Sequence, residues 1–89
     1  MVIATRQSME DCLEQCESVL SIAKEQYKEA SQQEHYNNSE FVQSQLLLES
    51  AYNDLEKLNH YANEEQKEQL QRMKIQLHQM RHDMISLRH

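Results

Sequence analysis

Two pairs of residues in this chain have the types and spacing of metal ligands. Cys12 and Cys16 lie four residues apart, and so do His78 and His82. Residues four apart on a helix point the same way, so each pair offers two donors to a tetrahedral zinc ion. We expect the pairs to lie on the order of 20 Å apart along the bundle axis, near the start of a first helix and the end of a parallel third helix. We therefore interpret both cysteines as small apolar core residues and predict no cofactor, with a thiol or metal sensor as an alternative.

A second candidate for chemistry is Ser50 with Asp54, four residues on in the second predicted helix. This pair resembles part of the small two-helix sporulation phosphatases that act on phospho-aspartyl response regulators, although their wider signature is not matched. A regulator of a bacterial phosphorelay, as a phosphatase or kinase inhibitor, is therefore a further alternative. Active sites are usually built on loops or helix N-termini with an oxyanion donor, and the chain has no glycine for such loops. We predict that the protein is not an enzyme, and we identify no small-molecule substrate.

The elements that must position these residues are helices. The chain has no glycine and no proline, which removes the usual residues of tight turns. A first helix is predicted at about residues 8–35, beginning at a cap formed by Ser8 and Asp11. Its apolar stripe has helical spacing and comprises Met9, Cys12, Leu13, Cys16, Val19, Leu20, Ala23, Tyr27 and Ala30. The segment 35–40 is rich in Asn and is predicted to break the helix.

The second predicted helix, at about 39–61, is apolar over a wide arc near its start. Its stripe comprises Phe41, Leu48, Ala51, Tyr52, Leu55, Leu58 and Ala62. Leu46 and Leu47 lie off that stripe. We predict that these two leucines contact a neighbouring helix or a second subunit.

The third predicted helix, at about 64–88, has the most regular pattern. Its apolar residues alternate steps of three and four, as in a coiled coil: Leu70, Met73, Leu77, Met80, Met84 and Leu87. Met73, Met80 and Met84 are candidates for an adaptable partner groove, although methionines at this spacing more often belong to the core. This register has slipped by one residue relative to the second helix, and Asn63 with Gln66 offers a cap at the slip.

These patterns predict a single all-α domain, an antiparallel up-down-up three-helix bundle. The alternative is a helical hairpin with one long second helix from Ser39 to Arg88. Its regular end would then pair with another chain as an oligomeric coiled coil. The register slip favours three separate helices, because a continuous helix would place polar residues at core positions beyond Ala62.

Charge and hydropathy restrict the partners. The formal net charge of −6 argues against nucleic acid and anionic membranes. No run is long enough to cross a membrane or to form a signal peptide, so we expect a cytoplasmic protein with reduced thiols. We therefore predict a non-enzymatic module that works through its helix surfaces, by self-association or with a protein partner. The candidate interface residues are Leu46, Leu47, Met73, Met80 and Met84.

Several segments point to a family. They are the start at Ala4-Thr5-Arg6-Gln7-Ser8, the segment from Gln33 to Asn37, the segment from Tyr52 to Leu58, and the stretch from Gln66 to Ile85. Together they make the chain similar to a small uncharacterised family from Bacillus-type bacteria, a domain of unknown function. The resemblance covers nearly the whole chain. It implies a bacterial cytosolic protein and brings no activity, ligand or catalytic residue with it.

Overall fold

The computed structural model describes residues 5–33 and 39–87 and contains three helices. They are α1 (Arg6–Gln33), α2 (Ser39–Asn59) and α3 (Glu64–Ser86), and each packs against the other two. Helix α2 runs antiparallel to α1, because Gln26 contacts Glu40 whereas the earlier Cys12 lies beside the later Asp54. It also runs antiparallel to α3, because Lys74 pairs with Glu56 and the later Arg81 pairs with the earlier Glu49. The predicted all-α up-down-up bundle is therefore confirmed, and α2 and α3 are separate helices.

The first helix begins two residues before the expected Ser8, because Thr5 caps it. The Ser8 backbone N–H donates to Thr5 Oγ1 at 3.0 Å, and the Thr5 N–H donates to Ser8 Oγ at 2.9 Å. This reciprocal pair satisfies N–H groups that a helix start otherwise leaves without partners. Most of the predicted break at 35–40, like the predicted helix end at Arg88, lies outside the described residues.

The connection between α2 and α3 ends in the predicted cap. The Asn63 side chain accepts from the Gln66 backbone N–H at 2.8 Å, and the Gln66 side chain accepts from the Asn63 N–H at 2.9 Å. Before it, Tyr61 N–H donates to the Leu58 carbonyl at 3.0 Å, which closes a tight turn. The capping box thus starts α3 at the one-residue slip and resets the register of the apolar stripe.

The core is a thin column of side chains along the bundle axis. All three predicted stripes contribute, and the fully buried side chains include Phe41, Leu48, Leu55, Leu77 and Met84. The bundle measures 48 × 18 × 15 Å, so its outer faces are long and narrow. Among the described residues, no helix combines the length and apolar character needed to cross a membrane.

Candidate interaction face formed by α2 and α3

The side of the bundle that α2 and α3 form away from α1, here called the α2–α3 face, carries exposed aliphatic residues. Six large apolar side chains are exposed among the described residues, and four of them lie here: Val42, Leu46, Ile75 and Ile85. Leu46 is 60% exposed and Ile75 is 59% exposed, although both are large aliphatics in regular helices. Single exposed apolar residues are ordinary on a protein surface, whereas several on one face suggest a contact surface.

Two ion pairs fix how α2 and α3 are aligned. Lys74 Nζ lies 3.2 Å from Glu56 Oε1, and an Arg81 guanidinium nitrogen lies 3.8 Å from Glu49 Oε2. The two pairs are equally spaced on both antiparallel helices, so the register between them is constant. When the same register is continued by one turn beyond Arg81, Ile85 lies level with the segment between Val42 and Leu46. The three aliphatics at this end of the face therefore form one patch.

Tyr52 occupies the middle of the α2–α3 face. Lys74 Nζ lies 5.1 Å from the centroid of its ring, and the His78 ring centroid lies 6.3 Å away. A depression of about 300 Å³ opens beside Tyr52, lined by Lys74, Ile75 and His78 among others. A second of about 170 Å³ lies toward Arg81. The surface is therefore grooved along the boundary between the two helices.

The ion pairs Lys74–Glu56 and Arg81–Glu49 determine the electrostatics of the α2–α3 face. The hydrogen bond that Lys74 donates to Glu56 raises the pKa of Lys74; partial burial opposes this shift, and Tyr52 adds to it. Lys74 is therefore a fixed positive charge at neutral pH. Exposed ion pairs of this kind contribute only about 0–1 kcal/mol to folding. Their main effect is to place alternating charges beside the exposed aliphatics.

The structure separates Leu46 from Leu47. Consecutive helical residues point about 100° apart, so only Leu46 belongs to the α2–α3 face. Leu47 is half-buried against the core. It lies on the side of α2 that carries Asp54, two turns further on, which faces α1. Of the two leucines, Leu46 alone is positioned for a partner outside the bundle.

The three candidate methionines lie in the core. Met73, Met80 and Met84 are all buried among the helices of the same chain. Their a/d spacing turns them toward α1 and α2, as for ordinary core residues. A partner could reach them only if the bundle opened, so they have no place in the surface described here.

The two cysteines lie between α1 and α2. Cys16 is buried and Cys12 is half-buried, beside a cavity of about 230 Å³ that Ala51 and Asp54 also line. Burial, reinforced by Cys12 and the nearby carboxylates, raises the pKa of Cys16 to about 12. Burial likewise raises the pKa of Cys12. Because the thiolate is the reactive form and the metal-binding form, both thiols are disfavoured for that chemistry at neutral pH.

The expected separation of the cysteines and the histidines along the bundle axis is wrong, because the helices are staggered. His78 stacks near Tyr52, whereas the cysteines lie beside Ala51, the preceding residue. The pairs therefore lie at similar heights, and it is the body of α2 that separates them. Within residues 5–33 and 39–87, no group of three or more His, Cys, Asp or Glu side chains is arranged to hold a metal ion.

Ser50 and Asp54 are both exposed, and because they are four residues apart they lie on the same side of α2. Asp54 lines the cavity beside the cysteines, together with Asp11 and Gln15 of α1. The cavity beside Asp54 thus contains a second carboxylate, which disfavours the binding of an anionic phosphoryl group.

Sequence reasoning missed most of the α2–α3 face. Val42, Ile75 and Ile85 were not singled out, because the search followed the apolar residues that fit each stripe. The signal was present for Ile75, which lies two residues from both Met73 and Leu77 and so points away from the core. An aliphatic residue on the side of a helix opposite to a regular core stripe therefore indicates an outer contact surface.

The fold and this face define a small, elongated all-helical bundle with an outer surface that mixes aliphatic residues and ion pairs. The chain belongs to the family described as "Protein of unknown function (DUF2524)", whose model matches residues 3–86. It is 47% identical over 83 residues to the "Uncharacterized protein YtzC" of Bacillus subtilis (strain 168), an alignment that covers 93% of this chain and 92% of that protein. No solved structure matches the chain. The predicted membership of an uncharacterised family of Bacillus-type bacteria is confirmed.

Proposed function

We propose that this protein is a non-enzymatic protein–protein interaction module of the cytoplasm, and that the α2–α3 face is its docking surface. One observation carries the proposal: Val42, Leu46, Ile75 and Ile85 are exposed together on that face. These four side chains are 36–60% exposed, so leaving them in water forgoes roughly 0.5–2 kcal/mol each relative to full burial. A partner that covers them recovers part of this free energy.

The polar groups of the α2–α3 face support the same function. Glu49, Glu56, Lys74 and Arg81 place charges of both signs along the boundary between the two helices, beside the aliphatic residues. Protein interfaces combine apolar side chains with charged groups, and charge complementarity selects the partner. The grooves beside Tyr52 give the surface relief into which a partner side chain can insert.

The alternatives have weaker support. The family's description names no function, and it therefore adds nothing in favour of a phosphorelay regulator or a thiol or metal sensor. The raised pKa values of Cys12 and Cys16 argue against a reactive thiol. The cavity beside Asp54 contains a second carboxylate, Asp11, which disfavours the binding of a phosphoryl group.

The test is a tagged pull-down from the native host with matched variants. One bait carries Leu46→Gln and Ile75→Gln on the α2–α3 face, and the control bait carries Ile22→Gln, an exposed isoleucine of α1. We expect the wild type and the control to retain the same partners, or a second copy of the chain, and the face variant to lose them. Equal capture by all three baits would refute the assignment of this face. Circular dichroism of each bait verifies that it is folded.

A further inference from the structure

We propose that the partner of the α2–α3 face is a second copy of this chain, related by a two-fold axis that runs parallel to the helices. This inference rests on the proposed function and names its partner. It starts from the charges of the two helices that form the face. On this face α2 contributes the carboxylates of Glu49 and Glu56. Helix α3 contributes the cations of Lys74 and Arg81.

The face therefore has an acidic half beside a basic half. Two copies can meet face to face about a two-fold axis in two ways. An axis perpendicular to the helices places α2 on α2 and α3 on α3, so that like charges meet. An axis parallel to the helices places the acidic α2 of each copy on the basic α3 of the other. Charge complementarity selects the second arrangement.

This arrangement also brings specific residues together. A rotation about an axis parallel to the helices preserves height along the bundle, so each α3 residue meets the α2 residues with which it is already level. The second copy's Glu56 comes level with Lys74, and its Glu49 comes level with Arg81. Each ion pair of one copy then meets the same pair of the other with signs alternating, an arrangement in which every nearest neighbour attracts.

The aliphatic residues follow the same rule. Because Ile85 is level with Val42 and Leu46 in one chain, it also becomes level with those two residues of the second copy. The apolar patch at this end of the face therefore meets its own image and is covered on both copies. Ile75 is covered by the second copy's α2 near Asn53. The surface is therefore self-complementary in charge at both ion pairs and in hydropathy at the end that carries Val42, Leu46 and Ile85.

The dimensions of the bundle suit such a contact. The bundle is 48 Å long and 18 Å wide between Cα atoms, and a stable interface buries about 800 Å² on each partner. One face is therefore large enough for a dimer of standard size. With four aliphatics and a largely polar remainder, we expect a dissociation constant of about 10–100 µM.

The proposal is tested by a charge exchange that keeps each chain internally paired. The variant Glu49→Lys, Glu56→Lys, Lys74→Glu and Arg81→Glu reverses both halves of the face, so its ion pairs within the chain can form again. We expect the wild type and this variant each to form dimers in sedimentation velocity between about 1 µM and about 1 mM. Native mass spectrometry of a mixture of the two, with one isotopically labelled, should show few mixed dimers, because like charges would then face each other.

The outcomes separate the possible arrangements. In an equimolar mixture, mixed dimers above the statistical fraction would overturn the proposal in favour of the perpendicular axis, since acidic α2 would then face reversed α2. Mixed dimers at the statistical fraction would show that this face is not buried, and would also overturn it. A wild type that stays monomeric throughout the range ends the self-association proposal. The docking function would survive that result if the pull-down still depended on Leu46 and Ile75.

Discussion

Leu46 and Leu48 provide a direct test of which side of α2 is the core. The two residues have the same side chain in the same helix, but Leu48 is 1% exposed and Leu46 is 60% exposed. Leu48→Ala removes a buried isobutyl group and leaves a cavity beside Leu77, which costs about 2–5 kcal/mol. Leu46→Ala removes atoms that already contact water, and alanine has a slightly higher helix propensity, so its effect lies within about 0.5 kcal/mol.

The measurement is urea denaturation followed by circular dichroism, at a low micromolar concentration where the monomer dominates. A domain of this size is stable by roughly 5–10 kcal/mol. With a urea slope of about 1 kcal/mol per molar, Leu48→Ala moves the midpoint down by about 2–5 M. Leu46→Ala leaves it nearly unchanged. A loss above about 2 kcal/mol for Leu46→Ala would mean that this residue is buried, and the α2–α3 face would have to be redrawn.

Four further results are expected. Asn63→Ala should lower the free energy of unfolding by about 1 kcal/mol, because it removes the cap that starts α3; an unchanged thermal midpoint would contradict this role. Both thiols should react slowly with a disulfide reagent at pH 8 and quickly in urea, Cys16 the more slowly, because burial raises its pKa to about 12. Stability should fall as the pH rises from 9.0 toward about 12, since the unfolded chain releases the Cys16 proton first, and Cys16→Ala should reduce that fall. Lys74→Met should change the unfolding free energy by less than about 1 kcal/mol, because its ion pair with Glu56 is exposed; a larger loss would show a structural role.

The helices and their buried faces could be predicted from the sequence because each depends on local geometry. Leu70, Leu77 and Met84 return to the same side of a helix every three or four residues, and burial of that side drives folding. The cap at Asn63 was readable for the same reason, since it joins residues only three apart. The family membership followed from whole segments of sequence rather than from any single residue.

The relative placement of the helices could not be predicted from the sequence. The distance from Cys16 to His78 was misjudged because α2 is staggered against both neighbours, and stagger depends on how three surfaces pack together. The two ion pairs between α2 and α3, Glu56–Lys74 and Glu49–Arg81, join residues that are far apart in the chain. No periodicity in the sequence predicts such pairs. Leu46 and Leu47 are adjacent in sequence, yet only the packing showed that one is exposed and the other half-buried.

The four residues with metal-ligand spacing, Cys12, Cys16, His78 and His82, illustrate the difference between what local sequence determines and what tertiary packing determines. The sequence by itself determined three helices, their core stripes and the capped break before α3, because these follow from interactions between residues close in the chain. Only the tertiary structure decided that the cysteines are buried beside α2, and that Leu46, Ile75 and Ile85 share one outer face with two ion pairs. These facts depend on the register between helices, which is set by packing across the bundle rather than along the chain.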